Sequence, residues 1–263
     1  MKLALITVQK EKPGPVVADM IARLSEHGAT VDLIYPEDRA RDVAEVRPEF
    51  DLYILKSSTR LAMVYAGLLH QAGARIINPV PAVTLMKDKY SATAALLPAG
   101  VPLPRTWMAD SPSQLSEALA TGPIVVKPYF GSQGRGVHIV RTQAELDAIP
   151  DDFGITFAQT YYESDGRDHK IYRIGDELFG VRRVWPAKTY EDKLGEPFEV
   201  TGEMRDVTLR CGDAFGVDLY GLDIIMNDGK PWVVDINTFP GFKGVPDAGL
   251  RLGDYVFGIA NRA

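Results

Sequence analysis

The sequence predicts an α/β protein of three lobes: a small parallel α/β lobe, a central lid lobe and a C-terminal lobe with a mixed sheet. Three observations predict it. Strand and helix periodicities alternate through roughly the first ninety residues, the pattern of a parallel sheet with crossover helices. Prolines at 79, 81, 98, 102 and 104 then interrupt that alternation. Beyond them apolar strands follow with few helices between, ending in a long hairpin about Asn227-Asp228-Gly229. The lobes are taken as residues 1–84, 85–175 and 176–263, the chain crossing between the first two around the proline stretch that closes near Pro104.

In the first lobe, Lys2 to Thr7 is a compact apolar strand. Pro15 then sits at a first helical position, followed by Val17, Met20, Ile21 and Leu24 at helical spacing and a stop at Gly28. Val31 to Tyr35 and Asp51 to Leu55 read as strands, and Leu61, Val64, Tyr65, Leu68 and Leu69 stripe a helix ending at Gly73. Arg75 to Ile77 is a short buried strand. Asp88 to Leu97 is a helix that Pro98 stops.

In the middle lobe, Ser111-Pro112-Ser113-Gln114 and Thr142-Gln143-Ala144-Glu145 both have the form of capping boxes. Strands are expected at Pro123 to Lys127, Val137 to Val140, Ile155 to Gln159 and Asp168 to Ile174. In the last lobe, Glu177 to Arg183 reads as a strand, Trp185 to Arg205 as irregular and polar, and Asp206 to Phe215 as a helix. Leu219 to Met226 pairs with Pro231 to Ile236.

Composition narrows the function. The 263 residues hold 29 Lys and Arg against 35 Asp and Glu, a net charge of −6 that speaks against general attraction to nucleic acid or anionic lipid. No apolar run approaches the roughly 18 residues of a membrane span, and Met1 to Lys12 is too short in apolar residues for a secretory signal. Cys211 is the one cysteine, which excludes an intrachain disulfide and fits the reducing cytoplasm. The four histidines, His27, His70, His138 and His169, show no metal-ligand spacing.

Three features carry chemistry. Val125 to Val137 holds Lys127 and a glycine-rich loop, Gly131-Ser132-Gln133-Gly134-Arg135-Gly136. Such a loop lets backbone amides approach an anion, although a plain hairpin turn uses the same residues. It does not open a helix, as a dinucleotide fold requires, and Val137 follows Gly136 where a P-loop needs Lys then Ser or Thr. A strand, glycine flap and strand instead match loops that fold over ATP phosphates.

The second feature is the hairpin, which brings Asp223, Asp235 and Asn237 to one face, with Asp223 facing about position 233 and Asp235 its diagonal neighbour. Two carboxylates flanked by Ile224, Ile225, Val233 and Val234 repel each other unless a cation neutralises them, and oxygen-only ligation suits Mg2+, with Mn2+ as a substitute. A solvated hairpin face is the alternative. The third feature is a set of cations at strand ends: Lys89, Lys127, Lys170, Arg182 and Arg183. Singly each reads as surface charge; together with the flap and the carboxylates they complete a triphosphate site.

The order of these motifs resembles the ATP-grasp superfamily and, within it, the RimK-type glutamate ligases and related carboxylate–amine ligases. The resemblance runs through Lys87-Asp88-Lys89, the Lys127 strand and flap, Gln159 to Tyr162, Asp168, and the Asp223, Asp235 and Asn237 set. It implies an ATP-grasp fold and an ADP-forming ligase that makes an amide bond through an acyl phosphate. On it, Lys89 and Lys127 contact the ATP phosphates with the flap residues Gly131, Ser132, Gln133, Gly134 and Gly136. Gln159, Thr160 and Tyr161 hold adenine through their backbone, and Asp168 holds the ribose. Asp223, Asp235 and Asn237 hold two Mg2+ ions, Lys170 sits near the phosphates or acceptor, and Arg182 stabilises the phosphorylated intermediate. The partners implied are a small-molecule or peptide carboxylate and an amine, with room for a homo-oligomer.

The chain departs from the RimK pattern by carrying Asp235 where those ligases usually have Glu. Its Asp235 to Phe242 and Gly244-Val245-Pro246 stretches look like the inositol phosphate kinases of the same superfold. A polyol kinase, with Lys56, Arg60, Arg183, Lys188 and Arg205 available for a basic acceptor pocket, is therefore the second reading, and an ATP-sensing module the third. No Gly-x-Ser-x-Gly elbow and no Cys–His pairing at Cys211 offers a side-chain nucleophile.

Overall fold

The structure, a computed structural model, describes residues 1–8, 13–129, 136–150, 153–164, 166–184, 189, 192 and 194–262. Three sheets organise it. The first is parallel, in the order β2-β1-β3-β4, from β1 (Lys2–Ile6), β2 (Thr30–Ile34), β3 (Leu52–Leu55) and β4 (Ile76–Ile77). Leu3 and Leu5 face one cluster while Ala4 and Ile6 face another, because helices cover both sides of a parallel sheet. Helix α1 (Pro15–Glu26) supplies Met20 and Leu24 to the first side.

Helix α2 (Arg60–Gln71) covers the second side with Ala62, Ala66 and Leu69. The expected stripe is displaced: Leu61 and Val64 are exposed, since two alanines let the helix lie close to the sheet and larger residues rotate outward. Helix α3 (Val80–Lys87) was not expected; Pro79 precedes it and Pro81 lies in its first turn, where a missing N–H is harmless. Helix α4 (Lys89–Leu96) follows, with Asp88 as cap accepting from the Ser91 amide at 2.7 Å.

The middle sheet is antiparallel, in the order β5-β8-β6-β7, from β5 (Thr106–Ala109), β6 (Ile124–Pro128), β7 (His138–Val140) and β8 (Thr156–Thr160). Helices α5 (Ser116–Leu119) and α6 (Gln143–Asp147) sit on it. The Thr142 capping box forms as expected. The Ser111 box does not: Pro112–Leu115 is a 3-10 turn, Ser111 Oγ pairs with Ser113 Oγ at 2.8 Å, and Gln114 Oε1 accepts from the Asp110 amide at 3.0 Å.

The third sheet is antiparallel, in the order β11-β10-β9-β12-β13, from β9 (Arg167–Ile174), β10 (Glu177–Val184), β11 (Glu196–Phe198), β12 (Leu219–Asn227) and β13 (Lys230–Asn237). The Asp168 to Ile174 strand therefore lies here and not in the middle lobe, and the chain changes sheet between Thr160 and Arg167. Helix α7 (Gly202–Phe215) covers one face through Val207, Cys211 and Phe215. The other face packs against the first lobe through Tyr172, Ile174, Leu219, Phe239 and Phe242.

The chain ends in α8 (Ala248–Asn261), also unexpected, which lies against α1. A Cβ at Gly249 would stand 2.3 Å from Asp19 Cβ, and one at Gly253 would stand 2.6 Å from Arg23 Cβ, so the close approach needs glycine at both. Arg23 and His27 bond Asp254 across this interface at 2.7 and 2.6 Å. No described helix is long and apolar enough to cross a membrane.

Candidate active site

Period-two alternation decides which side chains meet. Register pairs Asp168 with Arg183, Lys170 with Val181 and with Asp223, and Asp223 with Asp235, so Asp168, Lys170, Arg183, Asp223 and Asp235 share one face of the third sheet. The Asp235 pairing depends on a β-bulge. Asp228 and Gly229 both have positive φ, 50° and 76°, making the two-residue turn that pairs Asn227 with Lys230 and Ile224 with Val233. Continued regularly, that register would put Val234 opposite Asp223. The ladder instead shifts between Asp223 and Ile224, leaving Val234 as the extra residue. Asp235 is thus the direct partner of Asp223 rather than its diagonal neighbour, and Asn237 faces Gly221 on the same side.

Lys170 Nζ donates to Asp223 Oδ1 at 2.5 Å and pairs with Asp168 Oδ2 at 3.3 Å. Burial alone would lower this ammonium's pKa, but Asp223 and Asp168 together hold it above the usual lysine value. Asp168 is pushed up by burial against the pull of Lys170. Asp235 is exposed to solvent and yet lies within the fields of Asp223, Lys127 and Lys89, as a group on the floor of an open cleft does. Loss of hydration and then the Asp223 charge push its carboxyl up, while Lys127 and Lys89 pull it down.

Those two lysines approach from outside the third sheet, on α4 and β6. Asp88 caps α4 and so places Lys89 at its first position, where the helix dipole disfavours a cation; Lys89 Nζ donates to the Tyr129 carbonyl at 2.9 Å. Lys127, on β6, donates to Gln159 Oε1 at 3.1 Å. Burial lowers the pKa of both, and the Asp235 field opposes that. Two lysines held in partly dehydrated positions across from two facing carboxylates form a cleft with anion-binding walls and a cation-binding floor. Asp223, Asp235 and Asn237 offer only oxygen donors, which fits Mg2+.

Other expected residues fall differently. Gln159 is buried, and its side chain serves Lys127 and Thr106 Oγ1, the latter at 3.4 Å. The Thr160 and Tyr161 amides donate to the Arg105 and Pro123 carbonyls, both at 2.9 Å, so any base contact from this stretch runs through carbonyls or later residues. Tyr162 stacks on Trp232 with centroids 4.3 Å apart, joining the lobes beside it. Gly136 has φ 69°, which suits glycine where the chain enters β7. Gly131, Ser132, Gln133 and Gly134 lie outside the described residues, as does Lys188.

Arg182 is not brought to the cleft. It pairs in register with His169 and Glu196 on the α7 side of the sheet, exposed, with its guanidinium 3.6 Å from the Glu196 carboxylate. Arg183 takes the cleft side: it is 8% exposed and donates through Nη2 to Tyr172 OH at 2.7 Å and to the Lys243 carbonyl at 2.9 Å. Its Nε has no hydrogen-bond partner among the described residues. The signal that finds it is the Gly175-Asp176 turn, since counting outward from Ile174 opposite Glu177 sets Arg183 opposite Asp168.

The family model of the RimK-like ATP-grasp domain matches residues 86–253, and the chain belongs to that family. A probable alpha-L-glutamate ligase from Citrobacter koseri is 28% identical over 215 residues, covering 75% of this chain and 72% of that protein. Among solved structures, a RimK domain ATP-grasp protein from Sphaerobacter thermophilus superposes with TM-score 0.77 at 19% identity, covering 98% of this chain and 100% of that one. The ATP-grasp ligase PsnB, complexed with minimal precursor, Mg and ADP, gives TM-score 0.72 at 17% identity over 99% of this chain and 97% of that one. The fold is ATP-grasp, and the protein is an ATP-dependent carboxylate–amine ligase. The polyol kinase and sensor readings are not favoured.

Proposed function

We propose that the protein joins glutamate, as the amine, to a small-molecule or peptide carboxylate, in the cleft between the three sheets. The observation that supports this site is the facing Asp223–Asp235 pair beneath Lys89 and Lys127. The substrate carboxylate attacks the terminal phosphorus of ATP and ADP departs, leaving an acyl phosphate. The amine nitrogen then attacks the acyl carbon, phosphate departs, and the ammonium formed loses a proton. Lys89 and Lys127 orient the phosphates, and Gly131, Ser132, Gln133, Gly134 and Gly136 are assigned to phosphate binding on the sequence motif. Asp168 takes the ribose, and Lys170 holds Asp168 and Asp223 in place. Arg183, rather than Arg182, faces the charge that develops on the transferred group.

Asp223, Asp235 and Asn237 would hold Mg2+, which shields the phosphate charge. Two ions, and Mn2+ in their place, belong to the same proposal because the three side chains offer more oxygens than one ion with waters requires. Location in the cytoplasm fits the buried Cys211 thiol, and a homo-oligomer is compatible with this chain.

Incubation with Mg2+, ATP, hydroxylamine and a panel of carboxylates should release ADP and yield a hydroxamate with the true substrate. ADP with a phosphorylated alcohol and no hydroxamate would refute the proposal. Asp235→Asn should lower turnover more than tenfold, above roughly 1.4 kcal/mol of barrier, with the fold retained; a smaller loss counts against the metal assignment.

A further inference from the structure

Asn78 stands at the end of β4, 2% exposed, in the lobe that contributes none of the residues assigned above. Its Nδ2 donates to the Leu219 carbonyl at 2.6 Å and to the Thr238 carbonyl at 2.7 Å. The β12–β13 ladder ends at the Gly221–Asn237 pair. Thr238 is the next residue on one strand and Leu219 lies two beyond Gly221 on the other, so one planar amide joins the two strands just where their own pairing stops. Lys56, at the end of β3, extends the grip by donating to the Phe239 carbonyl at 2.9 Å and the Pro240 carbonyl at 3.4 Å. Phe239 and Phe242 complete it by packing with Leu3, Leu5 and Ile77.

We propose that Asn78 is a positioning residue for the cation site: through the Thr238 and Leu219 carbonyls it fixes where the Asn237 amide stands against Asp235 and Asp223. This rests on the assignment of Asn237 as a metal ligand. A ligand at the last residue of a strand has pairing support on one side only, so a bond to the carbonyl of the following residue limits how far its backbone can shift. Groups that hold a ligand from behind alter metal affinity without touching the ion. A purely cohesive role for Asn78 would instead lower melting temperature and leave metal affinity alone.

The test is Mn2+ titration with ADP present, read by electron paramagnetic resonance, beside metal-free ADP binding and a circular-dichroism melt. Asn78→Ala, folded at the assay temperature, should weaken Mn2+ binding about 10- to 100-fold, with metal-free ADP binding nearly unchanged. Asn237→Ala should show the same loss. If Asn237→Ala weakens Mn2+ and folded Asn78→Ala stays within about 3-fold of wild type, under about 0.7 kcal/mol, the positioning role is wrong and the site assignment stands. If Asn237→Ala leaves Mn2+ affinity intact, the site assignment fails and takes the inference with it. Should Asn78→Ala not fold, Asn78→Ser, which keeps one donor, is judged by the same criterion.

Discussion

Arg182 and Arg183 are neighbours in sequence, and the structure requires them to behave differently. Arg183 is buried, its guanidinium tied to Tyr172 OH and the Lys243 carbonyl, on the face that holds Lys170, Asp223 and Asp235. Arg183→Lys keeps the charge but replaces a planar fork with a point, which cannot span the same two acceptors and the reacting phosphate. Loss of one preorganised donor at a developing charge costs about 2.7–4 kcal/mol, so kcat should fall by about 100- to 1,000-fold. Arg182 has side-chain exposure of 45% and meets Glu196, at 66%, across 3.6 Å of solvated surface. Such a pair contributes about 0–1 kcal/mol to stability, and as its side chain lies on the face away from the cleft, Arg182→Ala should leave kcat within about 5-fold of wild type. The assay is hydroxamate formation with the carboxylate that supports turnover, on variants whose melts show them folded. Equal losses in the two variants, or wild-type turnover by Arg183→Lys, would refute the reasoning from strand alternation.

Two further expectations are independent of that one. Gly249→Ala must push Asp19 aside and should destabilise by about 1–3 kcal/mol, whereas Gly258→Ala, in the same helix with open space around its Cβ, should stabilise by about 0.5–1 kcal/mol; urea melts check both signs. Lys127 binds phosphate only as the ammonium, and burial lowers its pKa below the ordinary value of 10.5. ATP affinity should therefore weaken as pH rises toward 10.5 from below, and Lys127→Arg should move that loss to higher pH; an unchanged profile refutes the assignment.

Most strands were legible because alternating apolar runs survive any packing partner, and the Thr142 capping box because its chemistry is local; β5 went unread, and β11 lies in the stretch read as irregular, because each is a short strand of three or four residues. Helix α3 was hidden by Pro79 and Pro81, which read as breakers although proline in a first turn is harmless. Helix α8 was hidden by the poor helix formers Gly249, Gly253 and Gly258, of which the first two stand where α1 comes close. In the site, Asp223, Asp235, Asn237, Lys127 and Lys89 were legible as residue types at strand and helix ends. Their geometry was not, because one bulged residue at Val234 changes the partner of Asp223. Arg183 could be reached only by counting from the Gly175 turn, and Asn78 only from the fold, since both its partners are more than a hundred residues away.

The contact between α1 and α8 also orders events during synthesis. Arg23 and Asp254 are 231 residues apart, which at about 5–20 residues per second is roughly 12 to 46 s of elongation. Over that interval Met20 and Leu24 have emerged from the ribosome without Leu252 and Val256 to cover them. The first lobe is thus made early and closed last, its apolar flank waiting for α8.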